Sequence, residues 1–164
     1  MSLTVCLCAN TLYYPEGGGH LWVYLNWALG LRGLGCRVIW LEEVAPSTPA
    51  PTVRDHVASL KRRLERYGLA EDVALCSWTD EPLSPDARAG CLDLDAAWEA
   101  DLLLNFQYDM LPDVVKRFRR SALVDIDPGL LQVWTSTGHQ ALAPHDTYFT
   151  IGETVGQPAA RFPD

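Results

Sequence analysis

The sequence lacks the features that would place the chain in a membrane or an oxidising compartment. No apolar run reaches the ~18 to 20 residues that span a bilayer, because Asn26 and Arg32 interrupt the longest one. The chain does not open with the basic and apolar regions of a signal peptide. The five cysteines are odd in number and include no C-x-x-C pair, which argues against a disulfide framework or a zinc site. We therefore expect a soluble, cytoplasmic protein with no membrane span and no metal centre.

Positive charge is also scarce. Lysine and arginine number 13 against 21 aspartates and glutamates, which gives a formal net charge of −8. Such a surface repels polyanions. The two dense basic segments, 61–63 and 116–120, fall in predicted helices and are interpreted as solvated helix faces. The charge pattern predicts no nucleic-acid partner.

What the sequence does contain is an alternation of strand-like and helix-like segments. With 164 residues, of which 48% are hydrophobic, it fits one folded domain. Apolar runs predict strands at 3–9, 37–41, 73–76, 101–106, 121–126 and 147–151. Helical periodicity predicts helices at 20–34, 53–67 and 112–118 and a helical turn at 130–134. This order indicates a single α/β domain with a Rossmann-like open parallel sheet and helices on both faces.

In open parallel sheets, ligands bind at the carboxyl ends of the strands. Five segments follow the predicted strand ends and are the candidate binding segments: 10–20, 42–43, 107–109, 125–129 and 152–153.

Three glycines and a histidine open the first predicted helix. Gly17, Gly18 and Gly19 would let a ligand approach the backbone, and the helix start presents unpaired N–H groups. The order GGGHLW is not G-x-G-x-x-G, and no G-K-[ST] follows, so dinucleotide and P-loop motifs are both disfavoured. The alternative is a plain flexible turn.

His20 gives this loop a specific chemistry. The positive end of the helix dipole favours the neutral form of the imidazole. A neutral imidazole near a substrate hydroxyl can remove its proton as the oxygen attacks. The alternative is a histidine that only caps or packs the helix.

A strand, a glycine-rich loop ending in histidine, and a helix closing in LGLRGLGCRVIWLE together resemble the N-terminal half of a GT-B fold glycosyltransferase. That superfamily commonly begins with a strand, G-G-H or similar, a helix, G-H/C-x-V and a strand. The matching residues are Gly17 to His20 and Leu31 to Val38. The order of elements extends the resemblance over the whole chain.

The resemblance implies a domain that binds a small-molecule or glycan acceptor, while a second Rossmann-like domain binds a nucleotide-sugar donor as co-substrate. No other cofactor is implied. In inverting members, a histidine at the position of His20 is the general base, and an aspartate after a later strand orients it. Asp109, Asp125 and Asp127 are the candidates. Asp109 is preferred because the aspartate of the family follows a strand of the DLLLNF kind, as Asp109 does here.

The chain departs from the family pattern in its length. Residues 1–164 have room for one Rossmann-like domain only, and a C-terminal donor-binding domain is absent from them. We therefore expect little or no transferase activity from this chain alone. It is either part of a longer enzyme or a domain that works with a partner chain. The alternative function is a non-catalytic Rossmann-like module that binds a nucleotide, a metabolite or a partner domain.

Two further features complete the candidate site. Trp22 and Asp127 join the three glycines as candidate substrate-binding residues, although Trp22 could instead pack the helix against the sheet. Asp125-Ile126-Asp127 also forms a D-x-D sequence of the kind that holds a divalent cation against a nucleotide diphosphate in GT-A transferases. The Pro128-Gly129 that follows equally indicates a strand-ending turn with an Asx-type hydrogen bond.

Overall fold

The computed structural model describes residues 2–14, 18–79 and 81–158. Strands and α-helices alternate through these ranges. The strands are β1 (Thr4–Ala9), β2 (Arg37–Val44), β3 (Val73–Ser77), β4 (Leu102–Asn105), β5 (Ser121–Asp125) and β6 (Thr147–Thr150). The helices are α1 (Gly18–Gly33), α2 (Ala50–Glu65), α3 (Leu94–Trp98), α4 (Pro112–Val115) and α5 (Leu130–Ser136), and a short 3-10 helix spans Ala70–Asp72.

The strands form one open, all-parallel sheet in the order β3-β2-β1-β4-β5-β6. The predicted fold class is confirmed. The chain builds outward from β1 to β3 and then returns to place β4 on the other side of β1. The order therefore reverses between β1 and β4, which is the point where parallel sheets of this kind bind ligands.

The core lies on both faces of the sheet. Leu7 and Trp40 share one face with the buried sides of α1 and α2. Cys6 and Ile39 share the other face with residues of α3 and α4. Because both faces are covered, β1 is apolar along its whole length rather than alternating, as in other central parallel strands.

Several helix and strand ends differ from the sequence prediction by one to three residues, and two differences have identifiable reasons. Strand β2 continues to Val44, so Glu42 and Glu43 lie buried inside it rather than in a loop, and their assignment to a strand-end loop was wrong. Helix α3 was missed because it has only five residues, too few for a periodic pattern. It is capped by Asp93, whose Oδ1 accepts from the Asp95 N–H at 3.2 Å.

None of the helices within the described ranges combines the length and the apolar character needed to cross a membrane.

Candidate functional site

A cleft of about 530 Å³ opens at the carboxyl ends of the central strands. One wall is the start of α1 with His20 and Tyr24, and a second is the segment 106–109 after β4. The third wall is formed by residues after β5 and on α5, including Asp127 and Trp134. The cleft volume lies within the range of about 300 to 1,000 Å³ that is usual for small-molecule sites. His20, Asp109 and Asp127, which are distant in sequence, thus line one cavity.

His20 is held in a defined tautomer. Its Nε2 forms a hydrogen bond with the backbone carbonyl oxygen of Asn10. A carbonyl oxygen only accepts, so Nε2 carries the proton, and the lone pair of the neutral ring is on Nδ1. The ring packs against Tyr14 at 4.8 Å and against the edge of Tyr24 at 5.2 Å between centroids. The half-buried imidazole therefore keeps Nδ1 as its proton-accepting atom.

The expected aspartate partner of His20 is not in contact with it. Among the described residues, no hydrogen bond joins His20 to Asp109, and the Asn10 carbonyl orients the ring instead. Asp109 is exposed on the wall of the same cleft. Its role as the orienting acid stays a prediction.

Glu42 holds in place the segment that carries the Asn10 carbonyl. The buried carboxylate accepts hydrogen bonds from the Thr11 N–H at 2.9 Å, the Leu12 N–H at 3.1 Å and the Trp40 indole N–H at 2.8 Å. The Thr11 hydroxyl donates a further bond. Burial raises the pKa of Glu42, and these hydrogen bonds partly offset the rise. Glu42 thus anchors the residues that directly follow Asn10, a role that the sequence did not indicate.

Asp125 organises the opposite wall of the cleft. Its buried carboxylate accepts hydrogen bonds from the Tyr108 hydroxyl (3.1 Å), from the Gln132 amide (3.0 Å) and from the Thr150 hydroxyl (3.0 Å). The Tyr108 oxygen in turn accepts from the N–H groups of residues 126 and 127. Burial, followed by the charge of Asp125, raises the pKa of Tyr108, so the phenol stays neutral. The segments after β4 and β5 are joined by this network.

The D-x-D sequence has the geometry of a turn. The Asp127 N–H donates to Asp125 Oδ1 at 3.0 Å, which confirms the predicted Asx-type bond. Both oxygens of Asp125 already accept protein hydrogen bonds, whereas Asp127 is exposed on the cleft. Within the described part of the chain, no three His, Cys, Asp or Glu side chains are grouped to hold a metal ion. Of the two aspartates, Asp127 lines the cleft and Asp125 does not.

The glycines at the start of α1 leave open space beside His20. Gly18 and Gly19 have ordinary helical backbone, and a Cβ added at either would contact no described residue within 4 Å. Neither backbone strain nor packing therefore requires glycine at these two positions. Gly17 lies outside the described residues.

Trp22 lies away from the cleft. Its exposed ring packs edge-on against Tyr67 at 5.8 Å. Trp134 is the tryptophan that lines the cleft among the described residues, and it packs on His139 at 5.8 Å.

Glu43 is the polar residue of the sheet with the least favourable surroundings. It is 2% exposed, and neither carboxylate oxygen has a hydrogen-bond partner. Burial, together with the charges of Asp109 and Glu42, raises the pKa of Glu43 to about 8. The folded protein therefore holds this carboxyl protonated at neutral pH.

No protein-family model, curated protein or solved structure matches this chain. The fold and the position of the cleft define the class, an open parallel α/β domain of Rossmann type with a candidate site at its switch point.

Proposed function

We propose that this domain binds the acceptor of a sugar-transfer reaction in the cleft between β1, β4 and β5, and that His20 removes the acceptor proton. The observation that carries the proposal is the bond from His20 Nε2 to the Asn10 carbonyl. That bond leaves Nδ1 with a lone pair on a ring that lines the cavity. A base fixed in one tautomer beside an open cleft is suited to a bound hydroxyl.

The proposed reaction moves one proton and one sugar. The acceptor hydroxyl donates a hydrogen bond to Nδ1, and its oxygen attacks the anomeric carbon of a nucleotide-sugar. The proton passes to Nδ1 as the bond to the nucleoside diphosphate breaks. The resulting imidazolium keeps its Nε2–H bond to the Asn10 carbonyl, and its charge is favoured by the Asp109 and Asp127 carboxylates that line the same cleft.

The donor is bound by a second Rossmann-like domain, in the same chain or another. Among the described residues that line the cleft, none belongs to a G-x-G-x-x-G or G-K-[ST] phosphate motif. We therefore expect this chain alone to bind an acceptor with little transfer.

The test is sugar transfer from a panel of nucleotide-sugars, measured with the donor-binding domain present. Replacing His20 with alanine should lower kcat at least ~100-fold while acceptor binding persists. His139→Ala is the matched control, since His139 lines the same cleft but has no bond to Asn10. Near-normal turnover in the His20 variant, or a larger loss in the His139 variant, would contradict the assignment.

The strand order keeps a second function open. The order β3-β2-β1-β4-β5-β6, with a cleft at the switch point, also belongs to domains that bind nucleotides without catalysis. Binding of a free nucleoside diphosphate to this chain, unaffected by His20→Ala and with no transfer under any donor, would favour that alternative.

A further inference from the structure

A second cavity, of about 370 Å³, lies at the carboxyl end of β3. It is separate from the cleft of His20, because no residue lines both. Its lining includes apolar groups such as Leu83 and Val114 and two arginines, Arg88 and Arg117. The proposed sugar transfer uses none of these residues.

Arg88 is half-buried and lacks a partner for its side chain. Its Nε–H is buried and has no hydrogen-bond acceptor among the described residues, and the guanidinium forms no ion pair there. Buried donors in folded proteins are nearly always paired. An unpaired guanidinium on a cavity wall is the arrangement that an oxyanion completes, since its planar fork matches carboxylate and phosphate oxygens.

Arg117 is positioned on the same cavity by an aromatic ring. Its guanidinium carbon lies 5.7 Å from the centroid of Trp98, within the range of a cation–π contact. Trp98 is itself held edge-on by Phe118 at 5.0 Å. Trp98 thus joins Phe118 to Arg117 and orients the Arg117 guanidinium at the cavity.

The acids around the cavity do not neutralise these arginines. Asp113 lines the cavity, but its carboxylate pairs with the ammonium group of Lys116 at 2.9 Å and not with either arginine. Glu81 lines the exposed rim and forms no ion pair among the described residues. Ser77 and Thr79 add hydroxyl groups at the same wall. The lining thus carries two arginines and two carboxylates, and Lys116, which pairs with Asp113, leaves these surroundings with one net positive charge in a chain whose net charge is −8.

We propose that this cavity is a binding site for a small molecule with an oxyanion head, a phosphate or a carboxylate, held by Arg88 and Arg117. The apolar lining residues Leu83, Leu94 and Val114 accommodate a small hydrocarbon body. The ligand is bound by paired hydrogen bonds to the guanidinium of Arg88 and by the charge of Arg117. Removing the negative charge of Glu81 strengthens the binding of this ligand.

The test is calorimetric titration of this chain with phenyl phosphate, inorganic phosphate and benzoate, at one ionic strength so that screening is constant. We expect saturable binding of at least one probe below about 10 mM. Arg88→Met and Arg117→Met should weaken it about tenfold or more, and Glu81→Gln should tighten it. Binding of the phosphates alone assigns a phosphate head, and binding of benzoate alone assigns a carboxylate.

Arg66→Met is the matched control, because it removes the same charge from an exposed position on the surface after α2. It should leave the affinity within about twofold of the wild type. Circular dichroism of each variant verifies the fold, and Arg88→Lys provides a charged replacement that lacks the planar fork. No saturable binding of any probe by the folded wild type would overturn the proposal. An equal loss in Arg66→Met and Arg88→Met would do the same.

Discussion

Glu43 makes the stability of the domain depend on pH in a direction opposite to that of a salt-bridged acid. In the unfolded chain its carboxyl titrates near 4.5, and in the folded protein its pKa is raised to about 8. The folded state therefore binds the proton more tightly. The stabilisation that the bound proton provides is fully present below about pH 4.5, the pKa of Glu43 in the unfolded chain. It is lost as the pH rises to about 8, the pKa in the folded protein.

The size of the effect follows from the shift. Each pH unit between the unfolded and folded pKa values changes the free energy of unfolding by about 1.4 kcal/mol. The loss of free energy of unfolding over the whole interval is therefore at most about 5 kcal/mol. Replacing Glu43 with glutamine keeps the shape of the protonated acid and removes the titration. We expect Glu43→Gln to unfold with nearly wild-type free energy at about pH 5, and to be more stable by about 2 to 5 kcal/mol at about pH 8.5.

Urea unfolding followed by tryptophan fluorescence measures this difference directly at the two pH values. Glu65→Gln, at an exposed position of α2, is the control and should show no pH-dependent gain. Because Asp109 helps to raise the pKa of Glu43 in the folded protein, Asp109→Asn should end the decline in stability at a lower pH and make the total loss smaller, while the onset near pH 4.5 stays the same. An equal gain for Glu43→Gln at both pH values, or a loss at both, would refute the reasoning.

Two further predictions concern contacts made by the segment that follows β5. Tyr108→Phe removes the hydroxyl that joins the segments after β4 and β5, and should lower the free energy of unfolding by about 1 to 3 kcal/mol. Tyr67→Phe is its control, and equal stability of the two variants in urea would contradict the role of the network. Gly152→Ala places a Cβ 2.5 Å from the Pro128 Cβ and should cost about 1 to 3 kcal/mol, whereas Gly30→Ala meets open space in α1 and should be neutral or stabilising. A wild-type melting temperature for the Gly152 variant would show that this close approach relaxes without cost.

The sequence predicted the elements of the fold because their signals are local. Apolar runs of strand length and the 3.6-residue period located most strands and the two long helices. The rule that ligands bind at strand carboxyl ends then grouped His20, Asp109 and Asp127 before any contact was known. All three line the same cleft.

What the sequence could not show depends on groups that meet only in the folded chain. Glu42 and Glu43 have the polarity expected of a strand end. In the fold, the backbone N–H groups of residues 11 and 12, from a loop distant in sequence, compensate the burial of Glu42. Protonation compensates the burial of Glu43. The atom that orients His20 is a backbone carbonyl, which no side-chain pattern encodes. The strand order itself follows from tertiary packing rather than from any local signal.

The most direct test of the proposed function is nuclear magnetic resonance of the His20 imidazole nitrogens in this chain, free and titrated with 4-nitrophenyl β-D-glucoside. This probe carries sugar hydroxyls and an aromatic ring suited to the cleft of Trp134. We predict an Nε2–H tautomer in the free protein and a saturable shift of His20 Nδ1 on titration, with the amides of Asp109 and Asp127 moving in parallel. An Nδ1–H tautomer, or a probe that binds without shifting His20, would contradict the proposed role of this histidine.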